Sequence, residues 1–172
     1  MAPLEVTRSS KAILKESLFN TLGTSIVNTN FIEFFAGSGS IGIEALSRGA
    51  KEAIFFEQNS QSYKILLENL QNVCNQSKYQ TFKGDTFSLY QNALMGLKGE
   101  SIAYFDPPFD IRENMQEIYT KCFEMIKSLD SKIFKIIVIE HISNLQPPQN
   151  LTDFSLEKTK KFGKSSLSYY LA

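Results

Sequence analysis

With 172 residues, 42% of them apolar, and 18 basic against 18 acidic side chains, the chain is expected to fold as one neutral domain spanning 1–172. A zero net charge argues against a general nucleic-acid coat protein, which would be basic overall, but leaves room for an enzyme with a local basic patch. No apolar run approaches the roughly 18 residues of a membrane span and no signal peptide is evident, so a soluble cytoplasmic protein is expected.

Two cysteines, Cys74 and Cys122, lack metal-like spacing, and His141 is the only histidine. Those counts argue against a disulfide framework, a histidine metal site and a Ser-His-Asp triad. From the N-terminal end, Ser9 or Ser10 can cap a helix running to about Leu22, with Ile13, Leu14, Leu18 and Leu22 on one face. Gly23 closes it. Arg8, Lys11 and Lys15 fall on or beside its start, either as a solvated face or as phosphate contacts.

Phe31–Phe35 reads as a short strand that runs into Ala36-Gly-Ser-Gly-Ser-Ile-Gly42 and then into a helix closed by Gly49. Strand, glycine turn and helix form the context a nucleotide-binding loop requires. Gly37 and Gly39 permit a tight turn and close approach to a ligand, and Gly42 permits packing of the helix on the sheet. A second strand, Ala53–Glu57, ends in a carboxylate about 20 residues after the loop. There it can accept both ribose hydroxyls of a nucleoside, or be an exposed acid at a strand end. Tyr63, Leu66, Leu67 and Leu70 mark the next helix.

The third strand, Tyr79–Lys83, leads to Asp85, which can accept from an adenine amino group or cap the following helix. Thr86 offers a backbone donor and Phe87 an apolar wall. The fourth strand, Ser101–Phe105, delivers Asp106-Pro-Pro-Phe109. Two prolines stiffen this segment into an extended shelf. It presents an anionic acceptor (Asp106), a carbonyl (Pro107) and a flat ring (Phe109). A base with an exocyclic NH2 could stack on the ring while its N–H groups meet the two acceptors. An ordinary Asp-Pro-Pro turn is the plain alternative.

Asn114–Ser128 has a helical apolar face, and Phe134–Glu140 is a strongly β-prone strand ending beside His141, which reads as a strand-end residue. Phe154–Lys161 and Ser166–Leu171 form a closing hairpin. Lys158, Lys160, Lys161 and Lys164 gather on it, as protection of a sheet edge or as a weak sign of RNA contact. Alternating strands and helices predict a mostly parallel α/β sheet with helices on both faces. Ligands bind beyond the carboxyl ends of such strands. The glycine loop, Glu57, Asp85 and Asp106 each occupy one of those ends, in four consecutive units.

Phe35-Ala-Gly-Ser-Gly39, Glu44-Ala-Leu-Ser-Arg48, Asp106-Pro-Pro-Phe109 and Lys15-Glu-Ser-Leu-Phe-Asn20 together resemble the RsmD family, from about Arg8 to Tyr170. These are bacterial methyltransferases that use S-adenosylmethionine to modify a guanine N2 amine in 16S ribosomal RNA. The resemblance implies a Rossmann-like class I methyltransferase with a seven-stranded, mostly parallel sheet and a C-terminal antiparallel hairpin. It implies that Phe35, Ala36, Gly37 and Gly39 hold the methionine part of the cofactor. Glu57 and Gln58 would hold the ribose, Asp85 and Thr86 the adenine, and Asp106 would lie next to the methyl group. Asp106, Pro107 and Phe109 are the catalytic set, and Arg8, Lys11, Lys15, Lys160, Lys161 and Lys164 the RNA contacts.

No metal is expected, and the partner is ribosomal RNA or the small subunit, met by a monomer. Three departures weaken the RNA contacts: the family's N-terminal basic hairpin has no counterpart, its Arg-Pro-Thr is here Arg8-Ser-Ser, and Ile13 replaces a common basic residue. An adenine amino-methyltransferase acting on DNA, a nicotinamide-dependent oxidoreductase and a noncatalytic RNA-binding module share parts of this pattern. The loop lacks a P-loop lysine, against phosphoryl transfer.

Overall fold

The computed structural model describes residues 4–108 and 115–172, with side chains from residue 11 and, after the gap, from residue 116. Phe109 and the Arg8 side chain lie outside the described residues. The chain alternates as expected: α1 (Leu4–Leu22), β1 (Asn30–Phe34), α2 (Ser40–Ser47), β2 (Glu52–Glu57), α3 (Ser60–Val73), β3 (Tyr79–Lys83), α4 (Thr86–Ala93), β4 (Ser101–Phe105), α5 (Met115–Lys127) and β5 (Phe134–Ile142). Then come β6 (Asn150–Leu151), β7 (Phe154–Phe162) and β8 (Ser165–Leu171). The strands form one sheet in the order β3-β2-β1-β4-β5-β8-β7-β6. The first five are parallel, and β5–β8, β8–β7 and β7–β6 are antiparallel.

The sheet has eight strands where seven were expected. The extra one is the two-residue β6, which follows Pro147-Pro148 and pairs Leu151 with Phe154. Thr152 supplies the left-handed turn between them, at φ 56°. A two-residue strand carries no periodicity, so no sequence pattern could announce it. Helix α1 also starts earlier than Ser9, because no proline or glycine interrupts residues 4–10.

β1 and β4 are buried along their whole length, which fits central strands covered on both faces. On one face, Leu14, Leu18, Phe19 and Leu22 of α1 pack on Phe31, Ile102, Tyr104, Val138, Leu167 and Tyr169. On the other, Tyr119, Cys122, Met125 and Ile126 of α5 pack on Ile32, Phe34, Ala103, Phe105, Ile137 and Ile139. A ladder of four rings crosses this second face. Phe82, Phe56, Phe34 and Phe105 stack at 5.2, 5.1 and 4.6 Å between successive centroids, one ring from each of β3, β2, β1 and β4. Stacked pairs of this kind contribute about 0.5–1.5 kcal/mol each beyond their buried area. Every rung is at or next to the last residue of its strand.

Candidate active site

The polypeptide leaves β1 through a strained turn. Phe35 has φ 65°, a left-handed conformation that is rare for a bulky residue. Its ring meets Phe87 edge-on at 5.6 Å. Gly37 and Gly39 continue in the left-handed region, at φ 57° and 77°, and the Gly39 amide donates to the Ala36 carbonyl at 2.8 Å. A Cβ on Gly37 would meet nothing within 4 Å, whereas one on Gly39 would run into Leu66. The loop therefore faces open space at Gly37 and is packed behind at Gly39. A Cβ on Gly42 would run into the Phe55 ring, so α2 can seat on β2 only with glycine there.

Glu57, at the end of β2, is buried and clamps the loop: its Oε2 accepts from the Gly37 amide at 2.6 Å and its Oε1 from the Asn59 amide at 2.6 Å. Each oxygen has a further lone pair for an incoming hydroxyl. Gln58 beside it is exposed. Asp85 caps α4, accepting from the Phe87 amide at 3.3 Å and the Ser88 hydroxyl at 2.7 Å. Thr86 is buried at the first position of that helix.

A cavity of about 370 Å³ joins the glycine loop to the end of β4. Phe35, Ala36 and Gly37 line it on one side, Asp106 on another, and Lys11 and Lys15 of α1 form its roof. Asp106 is partly covered and Pro107 is buried. Glu57, Gln58, Asp85 and Thr86 stand outside this cavity, on the β2–β3 side of the loop. The fold thus gathers Asp106 with the loop, and sets the other residues expected to hold the cofactor along the adjoining strand ends.

Two carboxylates that the sequence reading left unassigned also line the cavity: Glu33 and Glu140. Glu33 is buried in the middle of β1, and its Oε2 accepts from the Gly42 amide at 2.8 Å. Burial pushes its carboxyl up to about 8, with the Gly42 amide opposing and the Asp106 charge reinforcing the rise. Glu140 accepts from the Tyr104 hydroxyl at 3.0 Å. Asp106 is itself pushed up to about 7, first by burial and then by the Glu140 charge, while Lys11 pulls it back. An acid inside an otherwise apolar strand run, as in Phe31-Ile-Glu-Phe-Phe35, was the available signal for Glu33.

The basic residues divide. Lys15 lies 3.9 Å from Glu44, which also accepts from Arg48 at 2.9 Å. Lys160 of β7 donates to Thr21 of α1 at 2.8 Å, so it shares the face of Lys11 and Lys15. Lys161 alternates to the opposite face of β7, and Lys164 is exposed in the following turn. His141 is buried on the α5 side, bonded to Ser168 at 2.7 Å and edge-on to Tyr119, away from the cavity.

Residues 1–171 match the family profile described as Conserved hypothetical protein 95. A "Ribosomal RNA small subunit methyltransferase D" from Buchnera aphidicola is 30% identical over 95% of this chain and 81% of its own length. The protein of the same name from Escherichia coli K12 is 37% identical over 56% of this chain and 46% of its own length. Among solved structures, a magnesium protoporphyrin IX methyltransferase from Synechocystis, with bound SAM, superposes with a TM-score of 0.69. It has 14% identity and covers 96% of this chain and 81% of that one, which speaks for the fold alone.

Proposed function

Because this chain belongs to the Conserved hypothetical protein 95 (RsmD) family, we propose that it transfers a methyl group from S-adenosylmethionine to the exocyclic N2 amine of a guanine in small-subunit ribosomal RNA, as one cytoplasmic methyltransferase domain. The observation that carries this reading is the continuous cavity between Gly37 and Asp106. It brings a nucleotide-type loop and an Asp-Pro-Pro shelf to a common space.

The donor fits the residues present. Gly37 has open space in front of it, Glu57 has acceptor capacity for ribose hydroxyls, and Phe35 and Phe87 offer an apolar wall. S-adenosylmethionine supplies a methyl group already activated on a sulfonium sulfur. The chain's task is alignment. An unstacked guanine would lay its amine on Asp106 and on the Pro107 carbonyl, and these two acceptors localise the nitrogen lone pair that ring delocalisation otherwise withholds. Proton loss from the methylated nitrogen is then easy, and Asp106, with its raised carboxyl, is a suitable first acceptor. Alignment of this kind corresponds to about 7–11 kcal/mol of barrier. Phe109 would stack on the base, and Lys11, Lys15 and Lys160 would meet the RNA backbone. Lys11 and Lys15 line the cavity, so RNA held by them would present a base inward.

The test is transfer of labelled methyl to small subunits that lack the modification, followed by nucleoside analysis. N2-methylguanosine is expected. Label recovered in methyladenosine, or none in RNA, would overturn the proposal.

A further inference from the structure

Guanine and adenine both present an NH2 group, so the Asp106–Pro107 shelf alone would accept either. The difference lies at the neighbouring ring nitrogen: N1 of guanine carries a hydrogen, and N1 of adenine is a bare acceptor. A second acceptor placed beside Asp106 would select between them.

Glu140 is that neighbour. The parallel pairing of β4 and β5 runs through Phe105 opposite Ile139, so the next step along both strands sets Asp106 beside Glu140. Parallel strands lie about 4.8 Å apart, a spacing that adjacent donors on one base edge can bridge. Both side chains line the same cavity. Glu140 is 3% exposed and Tyr104 1% exposed, and the Tyr104 hydroxyl donates to Oε2 at 3.0 Å. Among the described residues that hydroxyl is its only hydrogen-bond donor, although an ionised carboxylate can accept about four. A carboxylate held on one oxygen by Tyr104 and lining the cavity has acceptor capacity left for a ligand that brings an N–H.

We propose that Glu140 is the guanine-selecting residue: anchored by Tyr104, its carboxylate accepts the N1–H of the base whose amine rests on Asp106. This rests on the methyl-transfer reading given above. Adenine would instead point its N1 lone pair at the carboxylate, and acceptor would face acceptor in a buried place. Tyr104 acts through Glu140 and is a positioning residue.

The test uses 2-aminopurine, which keeps the amine at C2 but has no hydrogen on N1. Small subunits are reconstituted with 16S RNA carrying guanine or 2-aminopurine at the nucleotide that the unaltered enzyme methylates. The unaltered enzyme is expected to favour guanine by about 100-fold or more in kcat/KM, as sites built around a substrate N–H do. Glu140→Gln should lose guanine activity and shrink that preference to about tenfold or less, since its amide can turn an NH2 toward the bare N1. Should Glu140→Gln not fold, Tyr104→Phe decides: loss of the hydroxyl that holds Glu140 should narrow the preference, and an unchanged preference overturns the role. Equal methylation of both bases by the unaltered enzyme, or an unchanged preference in folded Glu140→Gln, overturns the role of Glu140 while leaving methyl transfer standing. If no subunit is methylated at all, methyl transfer itself fails and Glu140 selection goes with it.

Discussion

Glu33→Gln should make the protein more stable in a way that depends on pH. In the fold, burial raises the Glu33 carboxyl from 4.5 to about 8. The unfolded chain releases this proton near 4.5, so between pH 4.5 and 8 the folded state binds more protons than the unfolded one. Stability from this group is therefore fully present below pH 4.5 and falls as pH rises to about 8. Integrating at 1.36 kcal/mol per tenfold change, the loss between pH 5 and pH 8.5 is roughly 3–4 kcal/mol. Glutamine keeps the shape, can accept from the Gly42 amide, and does not titrate. Urea unfolding of both proteins at pH 5 and pH 8.5 should give a stability difference, variant minus wild type, that grows by roughly that amount with pH. Parallel pH profiles would refute the reasoning, because they would mean that Glu33 ionises in the fold as easily as in water.

The other predictions concern the reaction. Asp106→Ala should abolish methyl transfer while cofactor affinity, measured by calorimetry, stays within a few-fold; near-normal turnover would remove Asp106 from the chemistry. If the Asp106 carboxylate is the working form, kcat/KM should climb with pH and level off above about 7. Because the Lys11 charge lowers this carboxyl, Lys11→Met should move the rising limb to higher pH, and a limb that stays in place would show that Lys11 does not act on Asp106. Glu57→Ala removes the carboxylate proposed to accept the ribose hydroxyls, so cofactor binding should weaken by about 1.5–3 kcal/mol. Unchanged affinity would count against Glu57 holding the ribose.

Much of this architecture is legible in the chain because parallel strands with both faces covered become continuous apolar runs, and helices between them carry the 3.6 period. The strand-loop-acid units at Gly37, Glu57, Asp85 and Asp106 follow from that alternation. What the chain does not display is which side chains converge across strands. Glu33 and Glu140 lie 107 positions apart, yet they line one cavity because β1 and β5 flank β4. Asp85 shows another limit: capping and ligand binding ask for the same residue type at the same place, and its hydrogen bonds to Phe87 and Ser88 are visible only in three dimensions. The lysines of β7 read as one group, although pleating sends Lys160 toward α1 and Lys161 to the other side.

The four stacked phenylalanines set where variation can enter. Phe34 is followed directly by the glycine turn, Phe56 by Glu57, Phe105 by Asp106, and Phe82 by Lys83 and then the Gly84-Asp85 turn. The stack and the candidate site residues are separated by one to three peptide bonds. A lineage could exchange the tips without disturbing the stack, whereas losing a single ring would tilt several of the candidate site residues at once.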